Sequence, residues 1–145
     1  FDQRGERCYV LCEISSAVMP FSYMDGRLEF LQAVPSVAEP GGVPNSGADL
    51  HLAPDGRFLY VSNRGQDSIT VFSVQADGTL QLVQAVGCGG RTPRNFALDP
   101  TGGWVLVGNQ DSDSIAVFKR DVQSGRLALE NKAFAPTPVS LLFRA

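Results

Sequence analysis

The chain has 145 residues, 43% of them hydrophobic and 19% charged, with a formal net charge of −3 and a pI near 5.0. That is the composition of one globular core, since a chain of this size buries about two-thirds of its unfolded surface. No apolar run approaches the ~20 residues of a membrane helix, and no charged n-region with an apolar stretch opens the chain. The acidic balance argues against a nucleic-acid surface, which needs clustered Lys and Arg.

Fifteen glycines and nine prolines separate short β-branched and aromatic runs, which predicts all-β structure. The first unit, roughly residues 1–37, carries Gly5, Tyr9-Val10, Ser16, Phe21, Gly26 and Leu28, a weaker copy of the two units C-terminal to it. A Pro- and Gly-rich segment, Ser36–Gly47, separates it from the second unit, 47–87. There the strands read Ala48–Ala53, Arg57–Asn63, Ser68–Val74 and Leu80–Val86. Asp55-Gly56 and Asp77-Gly78 suit tight hairpin turns, because both residue types tolerate positive φ.

The third unit, 93–135, repeats the second. Pro54-Asp55-Gly56-Arg57-Phe58-Leu59-Tyr60-Val61 recurs as Pro100-Thr101-Gly102-Gly103-Trp104-Val105-Leu106-Val107, Asn63 falls on Asn109, and Asp67-Ser68-Ile69-Thr70-Val71-Phe72 falls on Asp113-Ser114-Ile115-Ala116-Val117-Phe118. Finally Pro138–Ala145 aligns with Pro93–Pro100 and reads as an innermost strand without its blade. Four antiparallel strands per 40–50 residues is the signature of a β-propeller blade. The fold class is therefore all-β: a β-propeller of four-stranded antiparallel blades, about three supplied by this chain. With the strands of each blade lettered a to d from the innermost outward, the strand phase is b-c-d, a-b-c-d, a-b-c-d, a.

That phase leaves unpaired strand edges and uncovered blade faces. The chain is expected to be completed by blades of a longer parent or by self-association, with Pro138–Ala145 filling the gap beside Arg7–Glu13. Cys8 and Cys12 lie four apart in one strand, about 13 Å, too far to bridge. With Cys88 they make an odd count, read as reduced thiols of a cytoplasmic protein. Cys88, among Gly87, Gly89 and Gly90, reads as a turn-filling residue before a nucleophile.

Propeller geometry turns the repeat into a site, because the start of strand a and the end of strand b share one face. Strand b ends on Glu13, Arg64 and Gln110 at equivalent positions, and strand a starts at Ala48-Asp49, Arg94-Asn95 and Val139-Ser140. His51 lies two residues deeper than Asp49 on the same side of the strand. Equivalent positions carrying Glu, Arg and Gln are departures from symmetry, as a functional site requires. Each has a structural alternative: Glu13 as a solvated carboxylate, Arg64 as a turn cap, Arg94 as an ion-pair partner of Asp49 or Asp99, His51 as a hydrogen-bonded core residue. Asp111-Ser112-Asp113 resembles a cation loop but lacks further acidic ligands, so no metal is expected.

Leu11-Cys12-Glu13-Ile14, Ala48-Asp49-Leu50-His51-Leu52-Ala53-Pro54-Asp55-Gly56, Tyr60-Val61-Ser62-Asn63-Arg64-Gly65 and Thr92-Pro93-Arg94-Asn95-Phe96 resemble the bacterial lactonase family of seven-bladed propellers. That family includes 6-phosphogluconolactonases and fungal carboxymuconate cyclases. The resemblance covers essentially the whole chain and implies the C-terminal three of seven blades. It implies that Glu13, His51, Arg64 and Arg94 are the polar residues around the channel mouth, with Glu13 or His51 as general base or acid, the two arginines gripping a small anionic lactone, and neither metal nor cofactor. Asp49, Asn95 and Gln110, which share that face by strand position, are expected to bind the substrate as well. Two other functions remain beside this one: a non-catalytic propeller that binds a partner or ligand, and a muconate-type lactonising enzyme.

Overall fold

The computed structural model describes residues 1–143, folded into three antiparallel sheets. The first holds β1 (Arg7–Cys12), β2 (Ala17–Met24), β3 (Arg27–Phe30) and β4 (Val34–Pro35). Both β3 and β4 pair with β2, at its end and its beginning, so together they form one interrupted outer strand. The second sheet runs β5 (Ser46–Leu52), β6 (Phe58–Arg64), β7 (Ser68–Val74) and β8 (Leu80–Gly87) in spatial order. The third does the same with β9 (Pro93–Leu98), β10 (Trp104–Asn109), β11 (Ser114–Arg120) and β12 (Leu127–Phe134). A single 3₁₀ turn, Gln110–Ser112, joins β10 to β11. These are propeller blades: the fold is the all-β one that the repeat implies. No helix among the described residues is long and apolar enough to cross a membrane.

Strand β7 has the bounds expected from sequence, and β5, β6 and β8 fall within two residues of theirs. The last segment differs. Residues 138–143 form no ladder, and Arg144 and Ala145 lie outside the described residues. An innermost strand pairs with the second strand of its own blade, and the described chain provides none for this one. The segment is instead held to the third sheet through the Leu141 N–H, which donates to Asn95 Oδ1 at 2.6 Å.

The middle sheet is covered on both faces, which explains why β6 reads Phe58-Leu59-Tyr60-Val61 without polar alternation. Phe58 and Tyr60 pack toward the third sheet with Ile69, Phe96, Val107 and Phe118. Leu59 and Val61 point the other way, onto Tyr9, Val18, Phe72 and Leu80. The outward faces stay open: Val10 and Phe30 on the first sheet and Trp104 on the third are exposed.

One polar clamp crosses the boundary between the second and third sheets. Arg120, only 4% exposed, donates to Tyr60 Oη, Gly102 O and Asp55 Oδ2 at 2.7–2.9 Å. Tyr60 Oη in turn donates to Gly125 O at 2.7 Å, so every polar side-chain atom of the pair is used. Burial would raise the Asp55 carboxyl, but hydrogen bonds from Arg120 and from the Arg57 backbone hold it below the usual carboxylate range. Asp55→Ala leaves the buried guanidinium short of its counter-charge and should cost about 2 kcal/mol, or roughly 6 °C in Tm. Because the folded pKa is depressed, this stabilisation is present above the unfolded pKa of about 3.9 and fades as pH falls through the folded value. Thermal melts from pH 7 to 3 should therefore converge for wild type and Asp55→Ala; parallel curves would show that the Asp55 charge adds no stability.

Candidate active site

The ends of strand b meet at one rim. Glu13 follows β1, Arg64 ends β6, and Gln110 opens the turn after β10. Glu13 Oε1 accepts from Arg64 Nη2 at 2.5 Å, across the boundary of the first two sheets. Backbone pairing fixes both residues, since the Gly47 N–H donates to Glu13 O at 3.0 Å and Ser46 sits opposite Arg64 in the β5–β6 register. Arg94, one residue into β9, donates from Nη1 to Gln110 Oε1 at 3.2 Å. Glu13, Ala48, Arg64 and Arg94 together line a cleft of about 220 Å³.

Exposure separates the two members of the ion pair. The Arg64 side chain is 25% exposed and the Glu13 side chain 64%, so the arginine is held and the carboxylate reaches water. Arg64 Nε is buried with no acceptor. Two guanidiniums against one carboxylate leave the cleft net positive, which suits an anionic ligand and especially carboxylate or phosphate.

Asp49 does something else. Its Oδ2 lies 3.0 Å from His51 Nε2 and accepts from Asn95 Nδ2 at 2.6 Å and from the Phe96 N–H at 3.3 Å. Its Oδ1 accepts from the Leu50 N–H at 2.8 Å. Burial would raise this carboxyl, but the His51 hydrogen bond and charge, with the backbone donors, outweigh it and keep Asp49 anionic. Asp49 and Asn95, expected to face a ligand, hydrogen-bond to each other and tie β5 to β9.

His51 is likewise apart from Glu13. Its ring meets Phe96 edge-on at 4.8 Å and lines a separate cavity of about 330 Å³ with Leu52, Ala97 and Leu141. Glu13 and His51 thus line two separate cavities. The reason is geometric: two residues along a strand is about 6.6 Å, enough to move a side chain into the next layer.

The remaining motifs resolve simply. In Asp111-Ser112-Asp113, Asp111 accepts from Thr92 Oγ1 at 2.6 Å and Asp113 from the Thr137 N–H at 2.8 Å, so both carboxylates anchor neighbouring loops. No three His, Cys, Asp or Glu side chains are grouped as a metal site among the described residues. Cys8, Cys12 and Cys88 are free thiols. Burial pushes the Cys88 thiol up to about 11, so it stays protonated at neutral pH and fills its turn. Sequence reasoning passed over Asn63, which is fully buried and donates to Ser36 O at 2.8 Å and Thr70 Oγ1 at 3.1 Å, locking the strand that carries Arg64. Its recurrence as Asn109, which donates to Cys88 O, was the available signal.

Comparison with known proteins finds relatives over nearly the whole chain. The chain is 42% identical over 130 residues to a Formosa agariphila protein named 6-phosphogluconolactonase, covering 88% of this chain and 36% of that one. It is 36% identical over 147 residues to the Bacillus subtilis protein of the same name, covering 99% and 42%. Among solved structures, Pseudomonas aeruginosa periplasmic gluconolactonase superposes with a TM-score of 0.94 at 39% identity, covering 100% of this chain and 41% of that one. The chain thus spans less than half the length of each of these proteins. The family described as "Lactonase, 7-bladed beta-propeller" matches residues 1–143, and the chain belongs to that family.

Proposed function

We propose that the complete propeller containing these blades hydrolyses an anionic sugar lactone of the 6-phosphogluconolactone type. The observation that carries this reading is the convergence of Glu13, Arg64 and Arg94, non-repeating residues at repeating positions, on one cleft. Glu13, oriented by Arg64, takes a proton from water as the oxygen attacks the lactone carbonyl. The resulting oxyanion is stabilised by the guanidinium charge. When the tetrahedral intermediate collapses, the ring C–O bond breaks and the proton on Glu13 passes to the departing ring oxygen. Hydroxy acid is released and the carboxylate is restored. Arg94, braced by Gln110, holds the anionic tail.

The names of the two relatives and of the solved gluconolactonase support the substrate class. The three free cysteines support a reducing, cytoplasmic setting. The open outer faces with Val10, Phe30 and Trp104 support a ring closed by further blades, from the same chain or another copy. The reading is tested by comparing 6-phosphogluconolactone with unphosphorylated gluconolactone. A charge-assisted contact to phosphate should favour the former in kcat/KM by about 10- to 100-fold. Equal values would remove the anionic tail from the reading.

A further inference from the structure

The turn that begins with Arg64 ends with Asp67, and Asp67 bonds to the segment that leads into Arg94. Its Oδ1 accepts the Thr92 N–H at 2.8 Å, and its carbonyl accepts the Cys88 N–H at 2.8 Å. Thr92 has φ +57°, a left-handed conformation that a β-branched residue rarely adopts and that its surroundings must enforce. Three bonds enforce it: the one from Asp67, the Thr92 hydroxyl to Asp111 Oδ2 at 2.6 Å, and the Gln110 N–H to Thr92 O at 3.0 Å. Pro93 comes next, buried, with φ fixed by its ring, and then Arg94. Arg94 is exposed, and Gln110 is its one hydrogen-bond partner among the described residues, so its direction is set by the backbone beneath it.

We propose that Asp67 is a positioning residue: by clamping Thr92 in the left-handed region, it aims Arg94 at the cleft of Glu13 and Arg64. The inference rests on the reading above that Arg94 holds the ligand's anionic tail. Asp67 suits the task because its own φ is +49°, which Asp accepts more readily than most residues. The turn it ends is itself rigid. Gly65 has φ +103°, and a Cβ there would lie 2.1 Å from Pro44 O, while the Gln66 N–H donates to Asn45 Oδ1 at 3.2 Å. One short turn therefore sets Arg64 and, through Asp67, Arg94.

The clamp is part of the repeat. Asp113, φ +46°, accepts the Thr137 N–H, and Thr137 has φ +45° and precedes Pro138. There the next residue is Val139, so the same device supports an arginine only at the junction of the second and third sheets.

The test uses the complete propeller, calorimetric affinity for 6-phosphogluconate, and KM and kcat for the lactone. Asp67→Gly keeps the left-handed backbone and removes the acceptor; Asp67→Asn keeps both. Asp67→Gly should weaken product affinity and raise KM about tenfold with kcat within about twofold, and Asp67→Asn should stay within about threefold of wild type. In an Arg94→Ala background, where affinity is already about 30-fold or more reduced, Asp67→Gly should add nothing. An undiminished further loss in that background would show a general structural role and overturn the proposal. Wild-type affinity in Asp67→Gly, with Arg94→Ala impaired, overturns the role of Asp67 alone. Wild-type affinity in Arg94→Ala, or no binding of 6-phosphogluconate by the unaltered protein, overturns the underlying reading of Arg94.

Discussion

Arg94→Ala should lower kcat/KM for 6-phosphogluconolactone about 30- to 1000-fold, the equivalent of about 2–4 kcal/mol of charge-assisted binding to an anion. The loss is large because nothing nearby replaces the group. Arg64 is committed to Glu13 and to the Gly47 carbonyl, and Gln110 is neutral. It should also be selective, since unphosphorylated gluconolactone makes no such contact and should lose much less. Steady-state kinetics on both substrates separate a lost anchor from a damaged fold. Wild-type activity in Arg94→Ala would return the residue to a structural role, bracing Gln110.

Glu13→Gln should lower kcat about 10²-fold or more with KM little changed. Glutamine has the shape of glutamate and its Oε1 can still accept from Arg64, so the cleft keeps its walls while losing its base. The pH–rate profile is the decisive readout. If kcat and its pH dependence survive the substitution, the base moves to His51, which has its own carboxylate partner in Asp49 and its own cavity one layer down. Glu13 is the base in the proposed reaction because its carboxylate is the more exposed member of its pair and shares a cleft with both arginines.

Much of the site was legible because a repeat makes its exceptions visible. Glu13, Arg64 and Gln110 stand at one position in three copies, and only their difference marks them. The Asp49–Asn95 bond was not legible, because the two residues are 46 apart and belong to different sheets. Each looked like a polar side chain at a channel mouth; that they satisfy each other depends on how one blade leans on the next. Asp67 was hidden for the opposite reason. It recurs as Asp113, so it read as part of the scaffold, and its importance lies in the arginine two residues beyond Thr92 and not in Asp67 itself.

The sequence by itself determined the blades. Strand length, the turns at Asp55-Gly56 and Asp77-Gly78, and the alternation of Leu59 and Val61 with Phe58 and Tyr60 are local properties, written within ten or so residues and enforced by backbone geometry and burial. It also determined which residues share the rim, since strand direction comes from counting hairpins. What only the tertiary structure decided is which polar groups are free to act. The Glu13–Arg64 pair, the Asp49 junction, the clamp on Thr92 and the separation of His51 from Glu13 all form across blade boundaries. Hydrogen bonds there are set to within an ångström by the packing angle between sheets, and a repeat in one chain carries no record of that angle.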